Sequence, residues 1–92
     1  MRIARAERFQ RDVRGLEAHQ RNALFDVVLA LPGVLGDPHR HAGMGIRKLH
    51  ASGVWEARVG LGIRLVFTVE SGVTTLVTAG SHEDIRWFLR SL

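Results

Sequence analysis

The stretch GVWEARVGLGIRLVFTVESGVTTLVTAG, residues 53–80, decides the fold. Its apolar residues recur with a period of two, and Leu61-Gly62 and Ser71-Gly72 interrupt the alternation with turn residues. Val54 to Gly60, Ile63 to Glu70 and Val73 to Gly80 are therefore predicted strands. Ile46 to His50, set off by Ala51-Ser52-Gly53, makes a fourth. Joins this short force antiparallel hairpins, because a parallel crossover needs about a dozen residues or more. Alternation also sorts the faces. Trp55, Ala57 and Val59 point one way and Glu56 and Arg58 the other; Ile63, Leu65, Phe67 and Val69 lie opposite Arg64, Val66, Thr68 and Glu70. One face should pack on helices while the other gathers Glu56, Arg58 and Arg64.

Upstream the period becomes helical. After a short strand at Arg2 to Ala4, Phe9, Val13 and Leu16 recur at i, i+4 and i+7. Leu24, Val27, Val28 and Leu31 repeat the pattern, and Pro32-Gly33 is expected to stop it. Residues 18–21 are polar and predict the join of an antiparallel helix pair. Residues 32–45, rich in Gly, Pro and His, predict a long loop. Downstream, Ser81-His82-Glu83-Asp84 has the spacing of an N-cap with an acidic N3 residue, ahead of Ile85, Trp87, Phe88 and Leu92. The expected fold class is α+β: an N-terminal antiparallel helix pair on a mainly antiparallel four- to five-stranded sheet, closed by a short C-terminal helix, as one domain over residues 1–92.

At 92 residues and 46% hydrophobic content the chain suits one modest core. It has no cysteine, which removes disulfides and thiolate metal sites. No run approaches the roughly 18 apolar residues that span a bilayer, and Met1-Arg2-Ile3-Ala4-Arg5 does not begin a signal peptide; the expectation is a cytoplasmic protein with no membrane partner. The formal net charge is +4, and Lys48 is the single lysine. Guanidinium forks match phosphate and carboxylate bidentately, so an arginine-dominated basic chain points to an acidic or phosphate-bearing partner; an arginine-rich codon usage accounts for the same composition. Residues 1–50 hold nine basic and five acidic side chains, residues 51–92 four of each.

Three groups bear on chemistry. His39-x-His41 lacks the further ligands a zinc site needs, so no metal and no cofactor is expected. Arg58 and Arg64 should be neighbours on one sheet face, which calls either for an external anion or for internal neutralisation by Glu56 and Glu70. His82 falls in the first turn of the last helix, where an anion is favoured and an imidazole can exchange protons; a histidine merely placed at a helix start has the same position.

Phe9-Gln10-Arg11-Asp12-Val13, then Arg47-Lys48-Leu49 with Gly53-Val54-Trp55-Glu56-Ala57-Arg58-Val59, then Ile63-Arg64-Leu65-Val66-Phe67, then Ala79-Gly80-Ser81-His82-Glu83-Asp84-Ile85 occur in the order of the bacterial RelE/ParE toxin superfamily, which the chain resembles over nearly its whole length. The resemblance implies the toxin of a type II toxin–antitoxin pair. RelE-branch members are ribosome-dependent, metal-independent mRNA endoribonucleases; ParE-branch members poison DNA gyrase; an inactive fold relative would bind only its antitoxin. By the same resemblance Arg64 matches the arginine at the scissile phosphate, Arg58 a basic strand position, and Gly80-Ser81-His82 the histidine-bearing segment of YafQ-like members. Catalysis is thus expected from Arg64, His82 and Arg58, with RNA or phosphate contacts from Arg47, Lys48, His50 and Arg86. The implied partners are a small acidic antitoxin encoded next door, the ribosome and mRNA, with room for higher-order toxin–antitoxin assemblies. Glu56 stands where RelE has a second lysine, and Arg86 about where many members have a tyrosine.

Overall fold

The computed structural model describes residues 2–35, 45–50 and 53–91, with the side chains of Leu35 and His50 left out. His39 and His41 lie outside the described residues. The chain runs β1 (Arg2–Arg5), α1 (Glu7–Arg14), α2 (Ala18–Leu35), β2 (Arg47–His50), β3 (Val54–Val59), β4 (Ile63–Glu70), β5 (Val73–Gly80) and α3 (His82–Arg90). The sheet order is β1-β5-β4-β3-β2. The three hairpins expected between β2 and β5 are antiparallel, whereas β1 joins β5 in parallel, with the intervening chain as its crossover. At the β4–β5 turn both Ser71 (φ 52°) and Gly72 (φ 78°) are left-handed, the primed hairpin geometry that follows sheet twist.

Phe9 and the pair Leu24 and Leu31 pack on Ala57, Val59, Leu65 and Phe67, forming the main core between the helix pair and one sheet face. Each such large side chain taken from water contributes about 1.5–3 kcal/mol. The helices depart from expectation at two places. The join is residues 15–17, and residues 18–21 are already helical: Gln20 Oε1 accepts the Glu17 N–H at 2.9 Å and caps the start. Pro32-Gly33 does not stop α2, which continues to Leu35. The proline falls in the last turns, and burial of Leu31 and Val34, at 0% and 4% exposure, holds that turn against an internal proline's cost of about 3 kcal/mol.

The second sheet face is not purely polar, as the alternation suggested. α3 crosses it, and Ile85 packs with Val54 and Val66, joined by Phe88 and Leu89. Trp87, read from the sequence with the apolar residues of this helix, is 64% exposed. From Ile85 the core stripe continues at i+3 and i+4, which selects Phe88 and Leu89 and leaves Trp87 outside.

α1 is fastened to β5 by polar contacts. β5 extends past the end of β1, and there Asp12 Oδ2 accepts the Ala79 N–H at 3.1 Å and the hydroxyl of Thr78. Arg8 Nε donates to Thr78 Oγ1 at 3.2 Å while its guanidinium lies 4.9 Å from the centre of the Phe88 ring. These contacts link α1, β5 and α3.

Candidate active site

Register places the key side chains. Arg58 of β3 stands directly opposite Arg64 of β4, and Arg64 stands opposite Gly80 of β5. One pair further along β3, Glu56 faces Arg47 of β2 on one side and Val66 on the other. Directly opposite residues share a face, so Arg47, Glu56, Arg58, Arg64 and Gly80 all belong to the face that α3 partly covers.

Glu56 is the organising residue. Its side chain is only 2% exposed; Arg47 Nε donates to its Oε1 at 3.2 Å, and Arg64 Nη1 lies 3.6 Å from the same oxygen. A buried carboxylate persists only when paired, and these two guanidiniums supply the pairing. Arg64 therefore has a local partner in Glu56, one of the two carboxylates the sequence offered for internal neutralisation. Glu70 does not share that role: six residues along β4 from Arg64, it is about 20 Å away along the strand.

Arg58 is exposed and, among the described residues, has no carboxylate partner. Gly45, with φ 60°, lies against it: a Cβ there would come within 3.1 Å of Arg58 Cβ and 3.2 Å of Nε. A larger residue at 45 would push on the stem of this arginine and would be strained by the left-handed backbone. Among the described residues, Arg47 and Arg64 thus pair with the Glu56 carboxylate, while Arg58 beside them pairs with none.

Gly80 leads directly into α3. Ser81 is its N-cap: Ser81 Oγ accepts the Asp84 N–H at 3.1 Å, and Asp84 Oδ2 accepts the Ser81 N–H at 3.0 Å, a complete capping box. This box accounts for the glycine, because a Cβ at residue 80 would lie 2.8 Å from Asp84 Oδ2 and 2.9 Å from Asp84 Cβ. The box also fills part of the helix end that an anion would use, and the first turn carries Glu83 and Asp84. His82 is the first residue of the helix, exposed and two positions past the register partner of Arg64.

The remaining sequence candidates separate. Lys48 faces Trp55 across β2 and β3, so it lies on the opposite sheet face from Arg58 and Arg64. His50 is in β2 opposite Val54. Arg86 is on the outward side of α3, in a shallow groove with Glu83, Trp87 and Arg90. Among the described residues no group of three or more His, Cys, Asp or Glu could hold a metal ion, and no helix is long and apolar enough to cross a membrane. The sequence reading missed Gly45 and the outward Trp87. The signal for Trp87 was its i+2 offset from Ile85; nothing in the sequence announces Gly45.

A five-stranded sheet with this order, a helix pair on one face and a short C-terminal helix on the other is the RelE-like fold. By sequence the chain matches no family model and no curated protein. Among solved structures it is similar to YafQ from E. coli strain BL21(DE3), at 22% identity over 92% of this chain and 98% of that one, with a TM-score of 0.71. It is similar to a chain of the E. coli DinJ–YafQ toxin–antitoxin complex, at 21% identity, 90% and 93% coverage and a TM-score of 0.71. The intact E. coli RelBE toxin–antitoxin complex gives 23% identity, 87% and 94% coverage and a TM-score of 0.65. At such identities the likeness establishes the fold.

Proposed function

We propose that the chain is the toxin of a type II toxin–antitoxin pair, acting as a metal-independent endoribonuclease on mRNA in the ribosome. The observation that carries this reading is the row Arg58–Arg64–Gly80, which runs across three strands and passes straight into His82. Cleavage of RNA without a metal needs a group to take the ribose 2′-OH proton, cations to hold the pentavalent phosphorane, and an acid for the leaving 5′-oxygen. His82 is the proton-transfer group. Arg58 supplies a guanidinium with no carboxylate partner among the described residues, and Arg64, fixed by Glu56, supplies a second. Arg47, Lys48, His50 and Arg86 are flanking RNA contacts, Lys48 reaching the nucleic acid only from the far sheet face. The fold shared with YafQ and RelE, both solved with antitoxins, supports an antitoxin as partner; the net charge of +4 favours an acidic one, and the proposed place of action is the cytoplasm.

Induction of the chain without its antitoxin tests this. Arrest of protein synthesis with mRNA cut inside ribosome-protected codons is the expected result. Continued translation with DNA breaks and an SOS response would instead identify a gyrase poison.

A second reading has one observation in its favour. Because Arg64 is already engaged by Glu56, the site can be a settled ion-pair network in a protein that only binds an antitoxin. Normal growth on induction, with tight antitoxin binding, would establish that reading.

A further inference from the structure

Trp87 is held out of the core on a helix that has core positions to offer: Ile85 is 2% exposed, whereas Trp87 is 64% exposed. The guanidinium of Arg90 lies 5.2 Å from the centre of the indole and covers one side of it. Ser91 Oγ donates to the Trp87 carbonyl at 3.1 Å, holding the last turn. The groove beside the ring is lined by Glu83, Arg86 and Arg90, all charged. An apolar protein anchor would find no apolar surround here. A nucleobase would find an aromatic face backed by a guanidinium, and its phosphates would find two arginines. His82, Arg86 and Arg90 follow at i, i+4 and i+8, so this side of α3 begins at His82; Trp87 is about 7.5 Å further along the axis.

We propose that the outward side of α3 is a binding platform for single-stranded RNA, with an unpaired base stacked on Trp87 and adjoining phosphates on Arg86 and Arg90. The proposal rests on the nuclease reading and states where the RNA runs beyond the phosphate site. Bases inside a duplex are already stacked and cannot use the indole, so the platform selects single strands.

Fluorescence anisotropy with a short labelled single-stranded oligoribonucleotide, and with a fully paired RNA duplex of equal length, tests this. Trp87→Ala should weaken single-strand binding by about 5- to 150-fold, the equivalent of roughly 1–3 kcal/mol for one stacked base, and leave duplex binding unchanged. Trp87→Phe should retain most of the affinity, and circular dichroism should show both variants folded. Single-strand affinity of Trp87→Ala within twofold of the parent, equal losses on both RNAs, or no RNA binding by the parent would each overturn the platform. Cleavage on programmed ribosomes, run on the same proteins, separates the two claims. A parent that cleaves while Trp87 is indifferent removes only the platform; a parent that neither binds nor cleaves removes the nuclease reading as well.

Discussion

Glu56 Oε1 lies 3.6 Å from Arg64 Nη1, so the central arginine of the site is oriented by a carboxylate from the neighbouring strand. The same oxygen takes the shorter 3.2 Å hydrogen bond from Arg47, at the edge of the sheet. Glu56 is thus satisfied mainly by Arg47, and the longer contact leaves guanidinium donors of Arg64 for another acceptor. Arg58, across the strand pair, has no competing carboxylate among the described residues.

Replacing Glu56 with glutamine keeps the shape and one acceptor but removes the charge. Stability should fall by about 1 kcal/mol, which for a domain this size lowers Tm by roughly 4–8 °C. The loss is modest because Arg47 is 64% exposed and is hydrated once freed. Urea and thermal unfolding measure it; an unchanged midpoint would mean that the pairing contributes nothing to the fold.

Asp12 has a larger structural role. Asp12→Ala leaves the Ala79 N–H and the Thr78 hydroxyl without their acceptor where β5 outruns β1, and should cost about 2–3 kcal/mol. Asp12→Asn keeps an acceptor and should cost less than half as much. Denaturant midpoints give the energies, and amide exchange at Ala79 should accelerate selectively in Asp12→Ala.

Gly80→Ala tests the hinge between sheet and site. The added methyl would meet Asp84 at 2.8 Å, forcing the capping box open. A loss of about 1–2 kcal/mol is expected, close to that of Ser81→Ala, and the double variant should cost little more than either alone. Additive losses would show that the glycine and the cap are independent.

The β3 to β5 hairpins, the closing helix and its cap were legible because their signals are local: alternation, turn residues and the S-x-x-D spacing. So was the Arg58–Arg64 pair, since a short turn fixes register. The end of α2 was not, because tertiary burial of Leu31 and Val34 overrode the local stop of Pro32-Gly33. Neither the Arg47–Glu56 contact nor the position of Lys48 was legible. Both depend on β2 pairing with β3, whose register shifts between Lys48 and His50. The grouping of Trp87 with the apolar side of its helix failed for a different reason: hydrophobicity was read without its helical phase.

The most direct test of the central claim is mRNA cleavage on programmed ribosomes by the parent chain and by folded Arg58→Ala, Arg64→Ala and His82→Ala. Each arginine should be worth about 10²–10³ in rate, as guanidinium donors to a developing oxyanion are, and His82 about 10²–10⁴ as a proton-transfer group. Antitoxin binding should survive in all three. Cleavage at the parental rate by folded Arg64→Ala and His82→Ala would contradict the account and leave Arg64 as a structural partner of Glu56 alone.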